Sequence, residues 1–426
     1  MRNFLHSLQE RVLLYDGAKG VLLQAHGLKG DEAAESWNLL KPDVVKGVYR
    51  QYIEAGSAVI QTNTFPGNAV TLQGHGLAAK VYEINYAGVK LAKEVAGEKT
   101  FVAASVGPTG LFFVPVGELT FTQAYQIFQE QLAALAEAGA DLVNFETFTD
   151  LQELRVAILA AKEKTQLPII ASLTFGPKNS TMAGNPAEVC AIVCEALGVA
   201  AVGANCSGGP QSLLVPIKKM STVATVPLVV KANAGLPETV QGRTIYKETP
   251  EQFAAYTKAF VESGVRLIGG CCGTTPAHIR AIKRELEKLQ APPLKTKKRP
   301  FIASAYRYFD FSQNPNPTVQ KLALKDFFCK ANGLNALLDL AQSFDAEGID
   351  YLVLDFTACS DFDVWEFVSN FSFSVRVPVV IKSHQPHVLT EFLKYYPGRA
   401  GVILTEAAAA VAEKLVHYGA YVLHEA

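Results

Sequence analysis

The sequence has no surplus of either charge: 39 Lys and Arg stand against 40 Asp and Glu, a formal net charge of -1. That balance gives no electrostatic reason to expect nucleic acid or an anionic membrane as a partner. It also has no apolar run near the roughly 20 residues that cross a bilayer. Its opening stretch, MRNFLHSLQERVLLYDG, lacks the apolar core and small-residue cleavage site of a secretory signal, so a cytoplasmic location is the default expectation. Cysteine is sparse and odd in number, seven in 426 residues, which excludes a disulfide framework and marks clustered cysteines as ligands or nucleophiles. Core material is not lacking. With 49% hydrophobic and 19% charged residues the chain has the composition of a compact fold and no mark of disorder.

Short apolar runs of strand length recur between longer stretches of helical periodicity. They are VLLYDG (12–17), AVIQTNT (58–64), FVAASVGP (101–108), DLVNFET (141–147), IIASLTF (169–175), AVGANC (201–206), LVVKANAG (228–235) and RLIGGCCG (266–273). Between them, PDVVKGVYRQYIEAG, FTQAYQIFQEQLAALAEAG and TPEQFAAYTKAFVESG open at Pro or Thr or close at Gly, as helices do. Alternating strands and helices imply a parallel sheet. Eight repeats are the number at which such a sheet closes into a (β/α)8 TIM barrel, a doubly wound open sheet being the alternative. Each run ends in a polar or glycine-rich tip: Asp16, Thr62 to Thr64, Gly107, Glu146, Thr174, Asn205 with Cys206, Asn233, and Cys271 with Cys272. A closed barrel gathers all eight tips on the face where active sites of this fold lie.

After residue 284 the pattern breaks at KRELEKLQAPPLKTKKRP, a Pro- and Lys-rich connector. The expected division is a barrel over 1–290, a linker over 291–300 and a smaller α/β domain over 301–426. In that tail PFIASAY, IDYLVLDF, VPVVIKS, AGVILTE and AYVLH predict five strands, too few for a barrel of eight.

Cys190 and Cys194, four residues apart in an apolar helical pattern, read as packing, as do the isolated Cys329 and Cys359. Cys206, Cys271 and Cys272 remain. In a barrel they share one face, and glycines at 269, 270 and 273 let the backbone bend so that neighbouring thiols turn to one centre. Three thiolates suit a catalytic zinc, which keeps its fourth position open; buried apolar filler is the plainer alternative.

The runs YDGAKG, TNTF, GPTG, FETFTDLQELR, GANCSGGP, NAGLP and GGCCGTTPAHI resemble, in order, the homocysteine S-methyltransferase family over about residues 10 to 288. The resemblance implies Zn2+ held by Cys206, Cys271 and Cys272, with the homocysteine sulfur in the fourth position as the nucleophilic thiolate and methionine as product. It also implies that Glu146 takes the α-ammonium of the acceptor and that Asp16, Gly17 and Ala18 hold its amino acid end. Asn205, Asn233 and Asn63 are candidates for orienting loops or ligand; a helix cap for Glu146 and a turn for Asp16 are the simpler roles. The family loop DGAMGT reads DGAKGV here, with Lys19 and Val21, and Ala232 stands where proline precedes NAG. These departures make another thiol the rival acceptor.

The tail, from FDFSQNPNP through GIDYLVLDF to VPVVIKSHQPHVLTEFLKYYPGRAGVIL, resembles the first half of a pterin-binding barrel. Phe356, Thr357 and Lys382 replace polar positions that read the pterin ring, so folate binding is expected to be lost and a docking, dimerisation or closing role to remain. No DxHxxG loop for cobalamin is present, and any corrinoid would arrive on a separate protein. The expected donor is a methyl-corrinoid protein or methylfolate, with S-methylmethionine or betaine as the alternative.

Overall fold

The computed structural model describes residues 3–240, 243–328, 333–359 and 362–424, so Cys329 lies outside it. Eight parallel strands form the larger unit: β1 Leu13–Leu14, β2 Val59–Gln61, β3 Phe101–Val106, β4 Leu142–Phe148, β5 Ile169–Leu173, β6 Ala201–Cys206, β7 Leu228–Ala232 and β8 Val265–Gly270. They pair in sequence order, with β1 against β8. A parallel bridge between Tyr15 and Val59 and the Ala58 N–H donated to the Leu14 carbonyl at 2.7 Å close the ring. The open-sheet alternative is thereby excluded.

Strand periodicity fills both sides of the ring. Leu13, Tyr15, Val59, Phe101, Ala103, Leu142, Ile170, Ala201, Val229 and Leu267 point inward as one apolar cluster. The helix Phe4–Glu10 plugs its lower end, Phe4 meeting Phe101 edge to face at 5.3 Å. Alternate residues such as Ile60, Val102, Val143, Val202 and Ile268 face the outer helices. Nearer the carboxyl ends the inward positions turn polar, with Gln61, Ser105, Asn144, Glu146, Ser172 and Lys231 all buried. The sequence places the outer helices well: Pro42–Ala55 closes on Gly56 in the left-handed region, and Thr120 caps Phe121–Glu137 with a capping box. The stretch 249–264 forms two helices, Pro250–Ala254 and Thr257–Glu262, instead of one.

Residues 290–300 carry no regular element. Beyond them five parallel strands, β9 Val319–Ala323, β10 Tyr351–Asp355, β11 Val379–Lys382, β12 Gly401–Leu404 and β13 Tyr421–His424, pair in sequence order as half a barrel does. Five strands were expected, but their membership differs. Phe301–Ala303 pairs antiparallel with Tyr308–Asp310 in a separate hairpin, and VQKLA supplies the first strand of the sheet. That strand escapes notice because it lies at an edge and is mostly half-buried or exposed. The hairpin lies on the sheet's inward face, where Ile302, Phe309 and Phe311 pack with Tyr351, Val353, Val380 and Tyr421. Phe301 and Ala303, pointing the other way, belong to the barrel's core. Cys359 is buried in the tail's own core, and Cys190 and Cys194 in the barrel's, as packing residues. Among the described residues no helix is long and apolar enough to cross a membrane.

Candidate metal centre

Cys206 ends β6, and Cys271 and Cys272 follow β8 directly; closure brings them to one mouth, their sulfurs all within 4.8 Å of one another. Thiolates around a tetrahedral zinc at about 2.3 Å stand about 3.8 Å apart, so the donor set fits the ion in kind and in spacing. Hydrogen bonds from Cys271 and then Cys272 pull the Cys206 thiol down, and its own sulfur pushes both of theirs up.

The backbone around it is held in conformations that non-glycine residues seldom take. Cys206 and Ser207 have φ of 59° and 63°, and Thr147 has 66°. Each costs on the order of 1–3 kcal/mol and persists only where neighbours fix it. Here they do. The Thr147 N–H donates to Asn205 Oδ1 at 2.7 Å while Asn205 Nδ2 donates to Thr147 Oγ1 at 2.8 Å. Ser207 Oγ accepts the Phe175 N–H at 2.9 Å and donates to the Asn205 carbonyl at 3.2 Å. Asn205 Nδ2 also lies 3.9 Å from Cys271 Sγ, and Asn233 Oδ1 accepts the Cys272 N–H at 3.0 Å. Both asparagines therefore touch the cysteine segment, whereas Asn63 holds a loop, donating to the Ala34 carbonyl at 2.8 Å.

Glycine is required where predicted. A Cβ on Gly270 would collide with Thr274 Oγ1, and Gly273, at φ 77°, packs directly under the Tyr246 ring. Thr274 in turn ties the cysteine turn to the first loop: its hydroxyl donates to the Cys271 carbonyl at 2.7 Å and accepts the Ala18 N–H at 3.1 Å. Tyr52 donates to the Ala18 carbonyl at 2.6 Å, so Gly17 and Ala18 are fixed beside the cluster.

Asp16 is fully buried. Its Oδ2 accepts the Gln61 N–H at 2.8 Å and faces Lys19 Nζ at 3.8 Å, while Oδ1 has no hydrogen-bond partner. Burial pushes its carboxyl up to about 6. Glu146, also buried, is engaged from within: Gln61 Nε2 and Ser105 Oγ donate to Oε1, and Lys231 Nζ donates to Oε2. Sequence reasoning missed Lys231. Its signal was a lysine at an inward position of an otherwise apolar strand run, which demands a buried counterion. It also missed Tyr246, which burial and the Cys272 sulfur hold above its ordinary range.

The family described as homocysteine S-methyltransferase matches residues 13–286. Methionine synthase of Mycobacterium tuberculosis is 28% identical over 432 residues, 94% of this chain and 36% of that protein. The methionine synthase of Mycobacterium leprae is 30% identical over 337 residues, 74% of this chain and 28% of that protein. The chain thus spans about a third of the length of these curated relatives, and the first likeness runs well past residue 286 into the tail. The oxidised form of the Escherichia coli homocysteine methyltransferase MmuM matches with a TM-score of 0.57 at 25% identity, over 66% of this chain and 99% of that one. Its metallated form matches with 0.57 at 24% identity, over 65% and 96%. With its barrel, its cysteine trio and a family match across 13–286, this chain belongs to the homocysteine S-methyltransferase family.

Proposed function

We propose that the chain is a zinc-dependent methyltransferase that moves a methyl group to the thiol of homocysteine to give methionine, the donor being a methyl-corrinoid protein or methylfolate. The observation that carries this is the convergence of Cys206, Cys271 and Cys272 within 4.8 Å at the mouth of a barrel of this family. Those three residues would hold the ion. Bound zinc would supply the Lewis acidity that strips the acceptor thiol of its proton at neutral pH and leaves a nucleophilic sulfur.

The remaining roles fall to the chain itself. Asn205 and Asn233 fix the two cysteine-bearing segments, and Glu146 would take the acceptor's α-ammonium while Asp16, Gly17 and Ala18 would hold its amino acid end. In the transfer a sulfur–carbon bond forms as the donor's bond to the methyl carbon breaks. The donor keeps that electron pair, and the thiol proton passes to solvent. The product is a thioether, a weaker metal ligand than a thiolate, and so can leave. We assign 1–290 to the catalytic barrel, 291–300 to a linker and 301–426 to a tail that no longer binds folate. Lys19, close to Asp16, favours as a second reading an acceptor other than homocysteine.

The experiment is zinc content of the purified protein together with labelled methyl transfer to homocysteine from each donor class. About one zinc per chain with transfer is expected, and Cys206→Ser should lose both. Full turnover by Cys206→Ser would sink the proposal.

A further inference from the structure

We propose that the cavity at the junction of barrel and tail is a binding site for a small organic cation carried on an aromatic ring, an arylalkylamine. None of Asp16, Glu146, Cys206, Cys271 and Cys272 lines it, and the proposal does not rest on the reaction given above.

The cavity holds about 370 Å3. That is within the range of small-ligand sites, which often lie between domains and combine apolar walls with a few convergent polar groups. One wall is the barrel's, made by the loop 108–116 after β3 and the start of the helix Leu151–Lys164. The other is the tail's, made by Tyr306 and the helix Val364–Ser374. Phe112 and Met182 from the barrel and Phe373 from the tail are each more than half exposed, so large apolar side chains of both units are left uncovered around one space.

The sign of the charge in that space selects the ligand. A helix N-terminus ordinarily attracts an anion, but here its donors are answered from within. Asp150 Oδ1 accepts the Gln152 N–H at 2.8 Å, and Asn185 Oδ1 accepts the Leu151 N–H at 3.0 Å. What remains available is acidic. Glu153, only 3% exposed, spends Oε1 on the N–H and the hydroxyl of Thr109, both at 2.7 Å. Its Oε2 and the Oδ2 of Asp150 take no hydrogen bond among the described residues. Burial pushes the Glu153 carboxyl up to about 7 and that of Asp150 up as well, as expected where no cation offsets lost water. No Lys, Arg or His lines the cavity. Arg376 and Lys394, 5.3 Å and 5.1 Å from the ring centres of Tyr306 and Tyr395, stay outside the lining. An ammonium brings three donors to the two open carboxylate oxygens, and aromatic walls favour both a flat ring and a cation.

The test is calorimetric binding of 2-phenylethylamine to the full chain, with 2-phenylethanol as a neutral probe of nearly equal size. The amine should bind at least tenfold tighter than the alcohol. Glu153→Gln keeps an acceptor for Thr109 and should bring the two probes within threefold of each other. Phe373→Ala, at an exposed position of the tail wall, should weaken the amine at least threefold with zinc content unchanged, so the site is tested even where the buried variant fails to fold. Because the ligand touches both units, the amine should also slow hydrogen exchange in 364–374. Binding of neither probe, equal binding of both by the parent, or amine binding that neither variant changes would overturn the proposal.

Discussion

Arg155→Met keeps an aliphatic stem and removes the guanidinium that ties the barrel to the tail. Arg155 lies on the barrel helix Leu151–Lys164 and is 2% exposed. Its guanidinium donates to the carbonyls of Lys394 at 2.8 Å, Tyr418 at 3.2 Å and Leu393. Two of these belong to the last turn of the tail helix Pro386–Tyr395, where unpaired carbonyls collect negative charge. Hydrogen bonds from a charged donor contribute about 1.5–3 kcal/mol each, so three are worth about 4.5–9 kcal/mol before costs. Burial pushes the guanidinium from 12.5 down to about 10, which offsets about 3 kcal/mol of that. A net loss of about 3 kcal/mol is expected, equivalent to roughly 100-fold easier opening of the tail. Hydrogen exchange across 386–395 measures it directly, with zinc content as the control that the barrel is intact. Protection in that helix within threefold of the parent would refute the tie.

Burial pushes Glu35 up to about 7. Between its ordinary 4.5 and that value the unfolded chain gives up a proton that the native state keeps, so stability falls as pH rises through the window, by about 3 kcal/mol. Glu35→Gln should flatten melting temperature between pH 5 and 8, and a variant-to-parent difference that is constant with pH would rule this out. Phe309→Ala opens the tail's hairpin core, where the ring stands 5.0 Å from Phe311 and 5.3 Å from Tyr351; a loss of about 3–5 kcal/mol in the tail transition is expected with metal content unchanged. Gly270→Ala drives a methyl group into Thr274 and should weaken zinc binding at least tenfold in a chelator competition, against little change if the turn can relax.

The barrel was legible because each strand is a short apolar run closed by a polar tip, and all eight runs contain their strands to within a residue. The cysteines were legible because glycine-flanked adjacent thiols are chemically unusual. What stayed hidden depends on pairing across the ring. Nothing local in LVVKANAG says that its lysine faces Glu146 from β4, since strand parity gives the direction of a side chain but not its partner. The tail's first strand was missed for a related reason: VQKLA has little apolar pattern of its own and is a strand only because Tyr351–Asp355 lies beside it. Cys206 at φ 59° is likewise invisible in sequence, because the conformation is imposed by Asn205, Thr147 and Ser207 acting together.

The hairpin at 301–310 gives its strand Phe301–Ala303 two allegiances, with alternate side chains committed to different cores. Turning the tail as a body would pull Phe301 and Ala303 out of the barrel or Ile302 out of the half-barrel. A cut placed after residue 300 would therefore leave a gap in one wall and an orphaned strand on the other piece.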